Sequence, residues 1–184
     1  MRAWVLLGLL VAACGSTPKE SYYTLAGPPV PLPVAAASSL SVYIAPVSVP
    51  DSVDRSPMVL RTGANEAAID DMHRWIEPLK TAIPRAVAEL LMRDLGTPRV
   101  LVGRSMSQVP ADFRVAIDVQ RFESSLTDGA MLDAAWTVTP AKGAPRNGRT
   151  LAREAVTSKD HAGVAAAHRR ALETLSRDLA AAIR

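Results

Sequence analysis

The chain has 184 residues, 48% of them hydrophobic, and 21 Lys and Arg against 18 Asp and Glu give a net charge of +3. At ~100–200 residues per domain this is one domain with a leader or tail, too apolar for wholesale disorder and too weakly basic to suggest a nucleic-acid binder. A single cysteine excludes an internal disulfide framework and any multi-cysteine metal site, and no apolar run reaches the ~18–20 residues that span a bilayer as a helix.

Residues 1–14 read MRAWVLLGLLVAAC. Arg2 supplies a positive start, and residues 3–13 are eleven positions without charge, the length of a signal-peptide core. One reading is an ordinary signal peptide that leaves Cys14 as a free thiol. The other is a bacterial lipobox, Val11-Ala12-Ala13-Cys14. There the sulfur takes a diacylglyceryl group, residues 1–13 are removed, and Cys14 becomes the acylated N-terminus. The small residues before the cysteine and the absence of a second cysteine favour the lipobox. An N-acyl and S-diacylglyceryl anchor exceeds the two-signal requirement for stable attachment. Gly15 stands where an aspartate would signal retention in the inner membrane, which favours the periplasmic face of the outer membrane.

Residues 14–39 hold Pro18, Pro28, Pro29, Pro31 and Pro33 among Ser, Gly and Ala, the composition of an extended tether. Residues 21–25 (SYYTL) interrupt it with strand-like composition, read as a short strand at the domain edge. The domain itself is expected over residues 40–184. Val42, Ile44 and Val47 predict a strand that ends at Pro50. Residues 58–61 predict another, followed by a turn at Gly63-Ala64-Asn65. Residues 66–75 (EAAIDDMHRW) fit either strand or helix, with a hairpin preferred.

A helix is expected over residues 77–95, where Leu79, Ile83, Val87, Leu91 and Leu95 form one apolar stripe. Pro78 suits its first turn and Gly96 its C-terminal cap, while Pro84 marks either a kink or the true start. A short strand at 100–102 precedes a hairpin of 112–124 with 130–139, turned at Asp128-Gly129. A Gly- and Pro-bearing loop over 140–148 leads to a last strand near 150–157. The final helix spans 161–183, with Asp160 as N-cap and Val164, His168, Leu172, Leu175, Leu179 and Ile183 inward. Together these predict an α+β fold, a mostly antiparallel sheet with two long helices on one face, preceded by the lipidated tether.

Little here carries catalytic chemistry. Neither GxSxG, a phosphate-binding loop nor GxGxxG occurs. His161 and His168 lie seven apart on one helix, but no HxxxH or HExxH spacing supplies further metal ligands, so no metal is expected; His73 is the remaining histidine. The acidic pairs Asp70-Asp71 and Asp51/Asp54 lack EF-hand spacing and read as solvated loops. Residues 141–184 hold nine basic and four acidic side chains, either a face for headgroups or an acidic partner, or an ordinary solvated helix.

Particular segments nonetheless resemble one family. After Cys14 come Tyr22-Tyr23-Thr24-Leu25, VYIAPVSVP at 42–50, Asp54-Arg55-Ser56-Pro57-Met58-Val59-Leu60-Arg61, and Arg74-Trp75-Ile76-Glu77-Pro78-Leu79. Arg121-Phe122-Glu123 and the strand from Leu132 to Trp136 follow in the same order. The chain resembles the ABC-type transport auxiliary lipoproteins, the paraquat-inducible protein C-like family; Ile76, where small residues are common, and Pro84 are departures.

The resemblance implies a non-enzymatic periplasmic component of lipid-trafficking systems. Its implied partners are an MCE-domain protein and ABC or integral-membrane transporter subunits, which it would dock and hold at the outer membrane. It implies no cofactor beyond the covalent lipid on Cys14, and a homo-oligomer is compatible with it. Arg55, Arg61, Trp75 and Glu77 match its most distinctive segment and are candidates for a partner or subunit interface. The structural alternative makes Trp75 and Trp136 core anchors and pairs Arg55 or Arg61 with acidic side chains. A second functional reading is an envelope lipoprotein that assists outer-membrane or cell-wall assembly machinery, and partner identity separates the two.

Overall fold

The computed structural model describes residues 19–28, 38–103 and 110–184. Cys14, the leader and most of the proline-rich tether lie outside the described residues. In chain order the elements are β1 (Ser21–Tyr23), β2 (Val42–Ile44), β3 (Pro57–Arg61), β4 (Ala67–Trp75), α1 (Leu79–Leu95), β5 (Val100–Val102), β6 (Phe113–Ser125), β7 (Gly129–Pro140), β8 (Arg146–Glu154) and α2 (His161–Ile183).

The two-residue alternation along β6 decides which face of the sheet is dry. Val115, Ile117 and Val119 are buried while Ala116, Asp118 and Gln120 face outward. A register shift between Val119 and Arg121 then reverses the parity, so that Phe122 and Ser124 turn inward instead. α2 lies over β6, β7 and β8, and α1 packs beside it against β5. The expected helical stripes are buried, with Leu79, Ile83, Val87 and Leu91 on α1 and Val164, His168, Leu172, Leu175, Leu179 and Ile183 on α2, while Leu95 in the last turn of α1 is only partly buried.

The helix ends follow their local chemistry. Asp160 accepts the Gly163 N–H at 2.7 Å and caps α2. Gly96 ends α1 in the left-handed region with φ of 64°. Its N–H reaches the Arg93 carbonyl and the Thr97 N–H the Met92 carbonyl, satisfying two terminal acceptors. α1 begins at Leu79, and Pro84 lies inside it, where it withholds the N–H that would pair with the Lys80 carbonyl.

The sheet is mixed, which corrects the expectation of a mostly antiparallel one. The hairpins β3–β4 and β6–β7 are antiparallel, as is β7–β8. β1 runs parallel to β4, and β2 runs parallel to both β5 and β6. Leu60 of β3 meets Ser124 of β6 in a further parallel pair. Long β6 therefore carries β2 along its beginning and β3 at its end, on the edge opposite β7. Alternation and turn residues reveal hairpins between neighbours in sequence; these parallel pairs join strands separated by a helix or a long loop.

One strand boundary also differs, and the short edge strand expected at 21–25 is present. β8 starts at Arg146, inside the expected loop. Residues 21–25 belong to the fold: β1 pairs with His73–Trp75, and Leu25 is 1% exposed in the core.

Candidate functional site

The four candidate interface residues lie on the β3–β4 hairpin and its flanks, but not at one end of it. Arg55 is exposed in the turn before β3. The next residue, Ser56, receives the Trp75 N–H on its carbonyl at 2.7 Å, so Arg55 and Trp75 share the open end of the hairpin. The Trp75 ring points inward, 4% exposed and edge-on to Phe122 and His168. Its contribution is packing. Glu77 accepts from Arg85 at 2.8 Å across the start of α1.

Arg61 is at the far end of β3, where its guanidinium meets Asp128 at 2.7 Å and Glu123 at 3.6 Å. It ties β3 to the β6–β7 turn and borders an open pocket of about 240 Å³ that Arg121, Arg153 and Met131 also line. Trp136, assigned to the core, is partly buried and donates to Thr150 at 3.1 Å. Near Trp75 three large apolar side chains, Tyr22, Met72 and Ile76, are exposed, Ile76 by 65%, beside the Arg74–Glu20 ion pair. Ile76 donates its N–H to the Tyr23 carbonyl, which fixes this corner where β1 meets the end of β4.

The histidines separate. His168 is fully buried, stacked on Phe122 at 3.8 Å with its Nε2 2.8 Å from the Ser124 hydroxyl, and Nδ1 has no partner. Burial pushes its pKa down to about 3. His161, two turns earlier, comes instead to His73, their rings stacked 3.5 Å apart. Asp70 Oδ2 lies 3.0 Å from His73 Nδ1 and 2.9 Å from His161 Nε2.

Sequence reasoning missed this cluster. Asp70 and His73 would point to opposite faces of a regular strand, but β4 bulges, so that Pro57 pairs with Arg74 while Met58 pairs with Asp70. Only α2 then brings in His161, and the available signal, Asp70 three residues before His73, is too common to interpret alone.

The space between helices and sheet is filled. Leu79, Ile83, Leu90, Leu91, Leu172, Leu175 and Leu179 are all fully buried there. Among the described residues no helix is long and apolar enough to cross a membrane.

Comparison with known proteins defines the class. Residues 23–180 match the family of the ABC-type transport auxiliary lipoprotein component. The chain belongs to that family. A crystal structure of an uncharacterized protein is similar in fold, with a TM-score of 0.72 at 16% identity, covering 90% of this chain and 99% of that one. A Xanthomonas campestris protein superposes with a TM-score of 0.61 at 20% identity, over 87% of this chain and 92% of that one. No curated protein matches the chain.

Proposed function

We propose that this chain is a lipid-anchored, non-enzymatic docking component of an MCE/ABC-type lipid-transport system. It attaches through acylated Cys14 to the periplasmic face of the outer membrane and holds the transporter assembly there. The observation that carries the reading is the match of nearly the whole folded domain to auxiliary transport lipoproteins, downstream of the lipobox at residues 11–14. The leucine-filled interface between helices and sheet supports a structural role over carriage of a lipid in the core.

The docking surface in this reading is the corner of Arg55, Tyr22, Met72 and Ile76. Tyr22, Met72 and Ile76 are exposed along the β1–β4 edge on either side of the Arg74–Glu20 ion pair, and exposed apolar side chains mixed with charge suit a protein contact. Glu77, next to Ile76, is held by its ion pair with Arg85, whereas Arg61, paired with Asp128 at the far end of β3, lies outside this corner.

Affinity purification of the tagged protein from gently solubilised membranes tests the reading. An MCE-domain protein recovered with its permease or ATPase is the expected result, and Cys14→Ser reports whether the anchor is needed for that association. Recovery of cell-wall or outer-membrane assembly proteins instead overturns it. Arg55→Glu combined with Ile76→Asp, both exposed changes, is expected to reduce partner recovery at least tenfold with the melting temperature unchanged. Undiminished recovery would remove this corner as the docking surface.

A further inference from the structure

Asp70, His73 and His161 converge from two elements, and the atoms they offer all lie within 4.8 Å of one another. We infer that this cluster is a binding site for a divalent transition-metal ion of the zinc class, joining the bulge of β4 to the first turn of α2. This goes beyond the transport reading and does not depend on it.

Two of the three edges of the cluster fit the ion. A zinc ion bound at ~2.0–2.1 Å to nitrogen and oxygen has ligand atoms about 3.3 Å apart around a tetrahedron. Asp70 Oδ2 stands 3.0 Å from one imidazole nitrogen and 2.9 Å from the other, within a few tenths of an ångström of that edge. The parallel rings must splay for both lone pairs to meet at one point. His73, on the bulge with a third of its side chain exposed, has room to turn. Two imidazoles and one carboxylate select zinc, cobalt or nickel over calcium and magnesium, which prefer oxygen. Three protein ligands leave a fourth position for water or a partner's side chain.

The surroundings prepare the donors. Asp70 Oδ1 accepts the Met72 N–H at 3.0 Å, which orients the carboxylate and leaves Oδ2 facing both rings. Tyr23 of β1 lies against both imidazoles, its ring centre 5.9 Å from one and 6.0 Å from the other. Metal binding takes neutral imidazole and ionised carboxylate. Burial, with His73 alongside, lowers the pKa of His161. Although burial alone would raise that of Asp70, hydrogen bonds from His73 and Met72 bring it below the usual range. In the bound form each imidazole carries its proton on the nitrogen turned away from the metal, His73 Nε2 and His161 Nδ1. Asp160 adds negative charge beside His161.

The test is zinc alone, added to the metal-stripped full chain carrying Cys14→Ser so that no thiolate competes. The expected result is one zinc per chain by equilibrium dialysis. It is accompanied by a melting-temperature rise of about 5–10 °C at a hundredfold excess over Kd. Cobalt should substitute and magnesium should not. His73→Gln, at a partly exposed position that leaves the core intact, should abolish the rise, as should Asp70→Asn. The absence of stoichiometric zinc in the parent chain, or a rise retained in both variants, would overturn the site.

Discussion

His168 sits where a charged ring has no access to water. Phe122 stacks on one face, Trp75 stands edge-on, and the Ser124 hydroxyl is its hydrogen-bond partner. With a folded pKa of about 3 against about 6.5 in the unfolded chain, the native state refuses a proton that the unfolded state accepts. The stability that this neutral ring brings is fully present above pH 6.5 and is lost as pH falls toward 3, at a limiting slope of about 1.4 kcal/mol per pH unit. Urea unfolding at pH 7, 6, 5 and 4 should show the decline, and His168→Leu should flatten it. Other groups whose pKa values are lowered on folding, such as His161 and Asp133, act in both proteins, so the difference in slope is what reports His168. Trp75, packed on the same ring, should lose about 3–5 kcal/mol as Trp75→Ala. Weakened partner recovery in that variant would reflect unfolding, and for that reason the docking test uses Arg55 and Ile76.

Glycine at the level of the element explains where one strand begins. Gly148 pairs with Trp136 across β7 and β8, and a Cβ at that position would fall inside the indole ring. The residue therefore marks a close approach within a sheet, whereas in the sequence its composition reads as loop. Gly148→Ala should cost about 1–3 kcal/mol in chemical denaturation by forcing the indole off its seat. Asp160→Ala, which frees the Gly163 N–H at the start of α2, should lower the melting temperature by a few degrees.

The two long helices, their caps and both hairpins were legible because their periodicities and turn residues are local. Parallel pairing was not legible. Ser21 opposite His73 and Leu60 opposite Ser124 depend on the return path of the chain, which no window of sequence contains. The same limit hid the cluster of Asp70, His73 and His161, since it needs a bulge and a distant helix together. Of the four candidate residues, the hairpin that carries them was legible, but Trp75 turning inward and Arg61 turning toward Asp128 depended on tertiary packing.

For the molecule as a whole, the place of β1 would set the distance between the domain and the anchor proposed at Cys14. Six residues separate Cys14 from Ser21, a reach of at most about 25 Å, whereas a domain beginning at residue 40 would hang on a tether several times longer. β1 is held firmly: it pairs with the end of β4, Leu25 enters the core, and the Leu25 carbonyl accepts from Arg169 at 2.9 Å. The same Arg169 reaches Glu89 of α1 at 3.1 Å, so residues 21–25 bear on the packing of both helices. A chain shortened to begin at Lys19 should therefore unfold at the same urea concentration as the full chain. One shortened to begin at Leu40 uncovers the site of Leu25, worth about 1.5–3 kcal/mol for a leucine side chain, and loses the β1 ladder as well. Its urea midpoint should fall accordingly, and in the anchored protein the β1 corner with its exposed Tyr22 and Ile76 would be held near the bilayer. Equal midpoints for the two shortened chains would show that β1 adds nothing to the domain and would return its start to residue 40.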